Sequence, residues 1–236
     1  MRVAGDAWRY PAETRGDVVV AIDGPAGAGK STVARRVAER TGLRYLDTGA
    51  TYRALTLGLL RRGVPPDDPA AVAEAARTID LDLELDAAGR ATVLLDGKPP
   101  GAELRSAEVN AAVSAVSAVP AVRQQLVALQ RSLVGLGGIV AEGRDVGTVV
   151  WPDAEVKVYL TASEPERARR RAGDGNGGGE SADALARRDR LDSSRATSPT
   201  RPADDAVVLD STGRAVDQVV EEVLGRVAVA RAERTR

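Results

Sequence analysis

Val18-Val19-Val20-Ala21-Ile22-Asp23-Gly24-Pro25-Ala26-Gly27-Ala28-Gly29-Lys30-Ser31-Thr32 is the stretch that decides the fold. Its first five residues are apolar, mostly β-branched and without alternation, the pattern of a strand buried on both faces. Gly24 to Ser31 then fits G-x-x-x-x-G-K-[ST], the phosphate-binding loop that joins such a strand to a helix. Glycines let the backbone turn tightly enough to aim successive N–H groups at phosphate oxygens. The helix that follows adds its positive N-terminal end. Lys30 supplies a compact ammonium for the β- and γ-phosphates, and the Ser31 hydroxyl is a ligand for Mg²⁺. At this composition chance gives about 0.003 such matches along the chain. Residues 24–32 are therefore expected to hold the phosphates of a nucleoside triphosphate.

Outward from this loop the chain alternates strands and helices. Ser31 to Arg40 reads as a helix closed by Gly42, and Leu43 to Leu46 as a short strand. A second helix follows Asp47-Thr48-Gly49 and runs to about Arg62. After a helix over about 121–134, strands are expected at 139–142, 155–160 and 206–209, with a terminal helix over about 215–231. This order predicts an α/β fold with a parallel five-stranded sheet flanked by helices on both faces. Residues 80–85 and Ala91 to Leu95 break the rhythm by alternating polar and apolar residues around Asp86-Ala87-Ala88-Gly89. They predict an antiparallel hairpin inside a small insert of about 75–115. Residues 1–16 have no period and read as a disordered lead, leaving one domain over 17–236. Residues 164–201 hold nine arginines around Gly173-Asp174-Gly175-Asn176-Gly177-Gly178-Gly179 and read as a flexible, solvated excursion.

Composition narrows the chemistry. The 236 residues include no cysteine and no histidine. Disulfides, thiolate metal sites, cysteine nucleophiles and imidazole bases are all excluded. Carboxylates, hydroxyls, backbone amides, arginine and lysine remain. Among 33 basic residues only Lys30, Lys98 and Lys157 are lysines, and one of these stands in the loop. A formal net charge of −1 argues against nucleic acid as a partner. No run of about 18 apolar residues suggests a membrane span, and the first residues lack a signal-peptide core. A cytoplasmic monomer is expected. No Asn-Lys-x-Asp guanine reader accompanies the loop, so a small-molecule kinase fits better than a GTPase.

From Leu46-Asp47-Thr48-Gly49-Ala50-Thr51-Tyr52-Arg53 onward the chain resembles bacterial cytidylate kinases. The likeness continues through Leu104-Arg105-Ser106-Ala107-Glu108-Val109, Ser114, Val122-Arg123 and Gln130-Arg131. It is densest in Ala141-Glu142-Gly143-Arg144-Asp145-Val146-Gly147-Thr148-Val149-Val150, and closes in Arg188-Asp189-Arg190-Leu191-Asp192-Ser193-Ser194-Arg195 and Ala206 to Thr212. The resemblance implies transfer of the γ-phosphoryl group of ATP to CMP or dCMP, with Mg²⁺. It implies that Gly24, Pro25, Ala26, Gly27, Ala28, Gly29, Lys30, Ser31 and Thr32 bind ATP. Thr48 and Arg53 would hold the acceptor phosphate, and Ser114, Arg123 and Asp145 would read cytosine. Arg144 and Arg195 would meet CMP or the transferred group, Asp192 the ribose, and Arg188 would act from a lid over about 164–200. Thr48 replaces the serine common in such kinases and is expected to keep the donor.

Each residue has a plainer reading. Asp47 and Thr48 also fit a helix N-cap, and Ser114 a small packing residue. Arg144-Asp145 could be a structural ion pair, and Asp192 could simply pair with Arg195 one turn away. The other arginines of 164–201 read as solvated surface. Glu142 and Asp23 both remain open as an acidic partner for Mg²⁺. A kinase for uridylate, adenylate or a non-nucleotide alcohol is the nearest rival, and an ATP-sensing regulator the rival of another class.

Overall fold

The computed structural model describes residues 16–173, 182–193 and 200–236, apart from the side chains of residues 182–185, 188 and 193. The expected lead, except Gly16, lies outside the described residues. β1 (Val19–Asp23) is buried throughout, because its residues serve two cores in turn. Val19 and Ala21 face one core; Val18, Val20 and Ile22 face the other. α1 (Lys30–Thr41) ends where Gly42 takes a left-handed φ of 70°, which glycine adopts without strain. β2 (Arg44–Asp47) leads into α2 (Thr48–Arg61), whose N-terminus is capped by Asp47 Oδ1 accepting from the Ala50 N–H. After α3 (Pro69–Ala76) come β3 (Leu81–Leu85) and β4 (Ala91–Leu95), then α4 (Ala107–Ala118) and α5 (Pro120–Val134). Val119 is held in an extended conformation before Pro120, and the chain bends by 97° between those helices. β5 (Ile139–Gly143), a π-helical turn (Val146–Val150) and β6 (Val156–Thr161) follow. α6 (Glu164–Gly173), α7 (Ala182–Ser193), β7 (Val207–Asp210) and α8 (Val216–Arg234) complete the described elements.

Five strands form one sheet in the order β2-β5-β1-β6-β7, every neighbouring pair parallel. One face is covered by α2, α4, α5 and the hairpin, through residues such as Leu55, Leu59, Val113, Leu126 and Leu133. The other is covered by α1 and α8 through Val33, Val37, Val223 and Val227. Burial of each such side chain is worth about 1.5–3 kcal/mol, which is what holds the otherwise polar α8 in place. The strand that follows β1 in the chain lies beyond β5, while β6 lies on β1's other side. Such a reversal opens a crevice at the carboxyl ends of the strands, where α/β sheets bind ligands. Register puts Asp23 beside Gly143 and Asp47 beside Glu142 at that edge.

The hairpin is present, with Leu81, Leu83, Val93 and Leu95 buried and Asp86 Oδ1 accepting from the Ala88 and Arg90 amides in its turn. Residues 164–201 correct the sequence reading. Their described part is helical, and Arg167 and Asp192 are buried. Composition suggests solvent exposure there, but Arg167 donates to the Ala26 carbonyl and pairs with Asp189, and Asp192 accepts from Ser114 and Arg144. The glycine-rich residues beyond Gly173, and Arg195, lie outside the described residues. No single described helix is long and apolar enough to cross a membrane.

Candidate active site

The phosphate loop leaves the buried end of β1 and is shaped by what it packs against. A Cβ on Gly24, whose φ is 145°, would lie 2.0 Å from the Leu160 carbonyl oxygen. Any side chain there would push the loop off β6. The Lys30 ammonium is buried and donates to the Pro25 carbonyl at 2.8 Å. The Ala26 peptide is clamped from both sides. Its N–H donates to Asp189 Oδ1 at 3.3 Å, its carbonyl accepts from the Arg167 guanidinium at 3.1 Å, and Arg167 and Asp189 pair with each other. Arg170 similarly ties Ala28 to Ser211. Along the loop runs an open cleft of about 730 Å³ bordered by Gly27, Ala28, Gly29, Lys30, Ser31 and Thr32, by Arg169, Arg170 and Arg171 of α6, and by Ser211 and Arg214.

A second cavity, of about 90 Å³, opens between α2, α4 and the end of β5. Thr48, Arg53, Ser114, Arg123, Arg144, Asp145 and Asp192 all line it, although they come from four helices and the segment that follows β5. Lys30, Ser31, Arg105 and Arg171 border both spaces, so the two meet at the end of the phosphate loop. Gly24, Pro25 and Ala26 line neither; their carbonyls brace Arg144, Lys30 and Arg167 respectively.

Inside the second cavity polar groups are already ordered. Arg123 and Asp145, both buried, form an ion pair, and the Arg123 guanidinium lies 5.5 Å from the centre of the Tyr52 ring. Asp192 accepts from Ser114 Oγ at 3.2 Å and from Arg144 Nε at 2.9 Å. Arg144 therefore pairs with Asp192 and Asp145 with Arg123, which replaces the Arg144–Asp145 pair that their adjacency suggests. The Thr48 hydroxyl donates to the Glu142 carbonyl at 2.7 Å. Gly143 is required here, since a Cβ would come within 2.4 Å of that hydroxyl.

Six cations line the cavity against four carboxylates. Burial lowers the pKa of Lys30 well below its ordinary value, and Arg144 and Arg171 push it the same way. Burial also lowers that of Arg53, with Arg105, Arg144 and Arg171 adding to it. The Arg53 Nε is buried with no hydrogen-bond partner among the described residues. Cations forced together in this way are stabilised when an anion enters. Glu142 sits at the junction, its carboxyl pushed up by burial and by Asp47 and pulled back by Lys30, Ser31 and Tyr45. The Ser31 and Glu142 side chains are hydrogen-bonded to each other, and both carry oxygen of the kind a hard divalent cation takes. Among the described residues no group of three or more acidic side chains could hold a metal ion.

A phosphate loop beside a cavity rich in arginine narrows the chemistry to phosphoryl transfer, and similarity to known proteins narrows it further. The model of the family described as cytidylate kinase matches residues 20–229. This chain belongs to the cytidylate kinase family. It is 52% identical over 225 residues to a cytidylate kinase of Rhodococcus jostii (strain RHA1), covering 92% of this chain and 96% of that one. It is 52% identical over 214 residues to that of Rhodococcus opacus (strain B4), covering 88% and 93%. It is 49% identical over 214 residues to that of Symbiobacterium thermophilum, covering 88% and 95%. Phosphorylation of CMP or dCMP by ATP, in pyrimidine metabolism, is the activity of this kinase. Kinases of this family use ATP with a divalent metal.

Sequence reasoning passed over several residues of this cytidylate kinase. Arg105 and Arg171 line both spaces. Arg167, Asp189 and Arg170 hold the phosphate loop from α6 and α7, and Asp23 holds the turn after β5. Nothing local marks Arg105. Arg167 and Asp189 are 22 residues apart, and only the return of α7 over α6 brings them together. The side chain of Arg188 on α7, like all of Arg195, lies outside what is described.

Proposed function

We propose that this kinase binds ATP along residues 24–32 and CMP or dCMP in the cavity lined by Thr48, Arg53, Ser114, Arg123, Arg144, Asp145 and Asp192, and joins the two at Lys30. The meeting of the two spaces at Lys30 and Ser31 is the observation that supports this reading. The acceptor phosphate of CMP is already anionic near neutral pH, so its oxygen attacks the γ-phosphorus without a general base. The bond from that phosphorus to the β,γ-bridging oxygen breaks, and ADP leaves as CDP or dCDP forms. A site without histidine or cysteine suffices, because catalysis here is positioning and charge neutralisation.

Lys30 neutralises charge between the two phosphate chains, and Arg53, Arg105, Arg144 and Arg171 hold the acceptor phosphate and the transferred group. Mg²⁺, held by Ser31 and Glu142 together with ATP, would neutralise charge on the β- and γ-phosphates. Asp145 only accepts hydrogen bonds and Arg123 only donates them. That polarity fits the cytosine N4 amino donor and N3 acceptor, and opposes uracil at both positions. Asp192, set by Ser114 and Arg144, faces the ribose. Residues of about 75–115 serve the acceptor side and about 164–200 form a lid, with Arg188 and Arg195 acting from it when both substrates are bound. The enzyme works as a monomer in the cytoplasm. A coupled assay of ADP release with CMP, dCMP, UMP or AMP as acceptor tests the reading. Release that depends on CMP or dCMP and is weak with UMP and AMP is expected; equal release without any acceptor would refute it.

A further inference from the structure

Asp23 is the last residue of β1, directly before the phosphate loop, yet its carboxylate does not point along that loop. It is buried, 5% exposed, and crosses to the turn that follows β5. Oδ1 accepts from the Val146 N–H at 2.8 Å and Oδ2 from the Gly147 N–H at 2.8 Å. These are the first amides of the π-helical turn Val146–Val150. Amides at the start of a helical turn have no partner within it and favour negative charge. The turn's own hydrogen bonds run from Val149 and Val150 back to the carbonyl of Asp145. Asp145 is thus fixed on both sides, its carbonyl by the turn and its side chain by Arg123.

We infer that Asp23 is a positioning residue for base recognition: by gripping the Val146 and Gly147 amides it sets where Asp145 presents its carboxylate to the acceptor base. The inference rests on the reading that Asp145 faces cytosine. The groups facing Asp23 are Asp145 from the turn, Lys30 from α1 and Tyr159 from β6, with Gly143 of β5 alongside. Burial pushes its carboxyl up to about 6, and the two amides and Lys30 limit the rise. Asp23→Asn keeps the shape but offers only one acceptor, so one amide must lose its partner and the turn must shift.

Two measurements on the full chain decide the matter. In the wild type, the amide resonances of Val146 and Gly147 should titrate together between pH 4.5 and 8, and the shared transition should vanish in Asp23→Asn. Independent titration, or a transition that survives the substitution, would overturn the inference even if the variant folds poorly. In steady-state kinetics Asp23→Asn should raise KM for CMP about tenfold and narrow the preference for CMP over UMP, with KM for ATP within about twofold of wild type. A loss confined to kcat or to KM for ATP, with the CMP preference intact, would place Asp23 with the phosphate loop and overturn the inference alone. A wild type without CMP preference would remove the base-reading role of Asp145 and this inference with it.

Discussion

The two substrate sites are built in opposite ways. On the proposed ATP side the cleft follows one uninterrupted loop, of which residues 27–32 border it and most side chains are absent or small. The acceptor side has no continuous motif. It is a set of side chains brought together from α2, α4, α5, α7 and the ends of β2 and β5, and ordered by ion pairs such as Arg123–Asp145 and Arg144–Asp192. A backbone site reads charge and tolerates little change in shape. A side-chain site reads polarity and can be retuned one residue at a time. α7 touches both, with Asp189 on the loop and Asp192 on the acceptor side three residues apart.

Substitutions can break this division. Lys30→Met should have the largest effect, lowering kcat by about 10²–10³-fold, as loss of one preorganised charge typically does. Lys30 is a buried cation among arginines rather than a surface group, so the melting temperature of the free enzyme should hold or rise. A marked fall would mean that the ammonium stabilises the fold. Asp192→Ala comes next. It leaves Arg144 and Ser114 without their buried acceptor, and KM for CMP should rise by 5–150-fold, about 1–3 kcal/mol, while KM for ATP stays near wild type. Asp189→Ala should do the reverse more weakly, raising KM for ATP roughly fivefold and sparing CMP. If both variants shift both constants equally, the two sites are not separately held. Arg77→Ala, which removes an exposed ion pair with Glu74, should change stability by less than about 0.5 kcal/mol and leave kinetics untouched.

The same contrast explains what could be read from residues alone. The loop, β1, α1 and its Gly42 cap are local, so spacing and β-branching were enough. The hairpin was legible for the same reason, since alternation and a turn signal lie within sixteen residues of each other. In the acceptor cavity, resemblance to a family pointed to Arg53, Ser114, Arg123, Asp145 and Asp192, but no local signal gives their pairing. Adjacency suggested Arg144 with Asp145, whereas the fold pairs Arg144 with Asp192 of α7 and Asp145 with Arg123 of α5. Arg167 looked like solvated surface because a buried arginine is recognisable only from the carbonyls of Ala26 and Ala162 that receive it. Asp23 looked like a possible metal ligand, whereas in the fold its carboxylate accepts from the Val146 and Gly147 amides.

The central claim is that side-chain polarity in the acceptor cavity, set by Asp145 against Arg123, selects the base. The most direct measurement is the ratio of kcat/KM for CMP to that for UMP, at saturating ATP, in the wild type and in Asp145→Asn. An amide at position 145 donates as well as accepts, so it meets the uracil O4 that a carboxylate repels. The ratio should fall by 5–150-fold, about 1–3 kcal/mol, mostly through improved use of UMP. An unchanged ratio would contradict the account and take Asp145 out of base recognition.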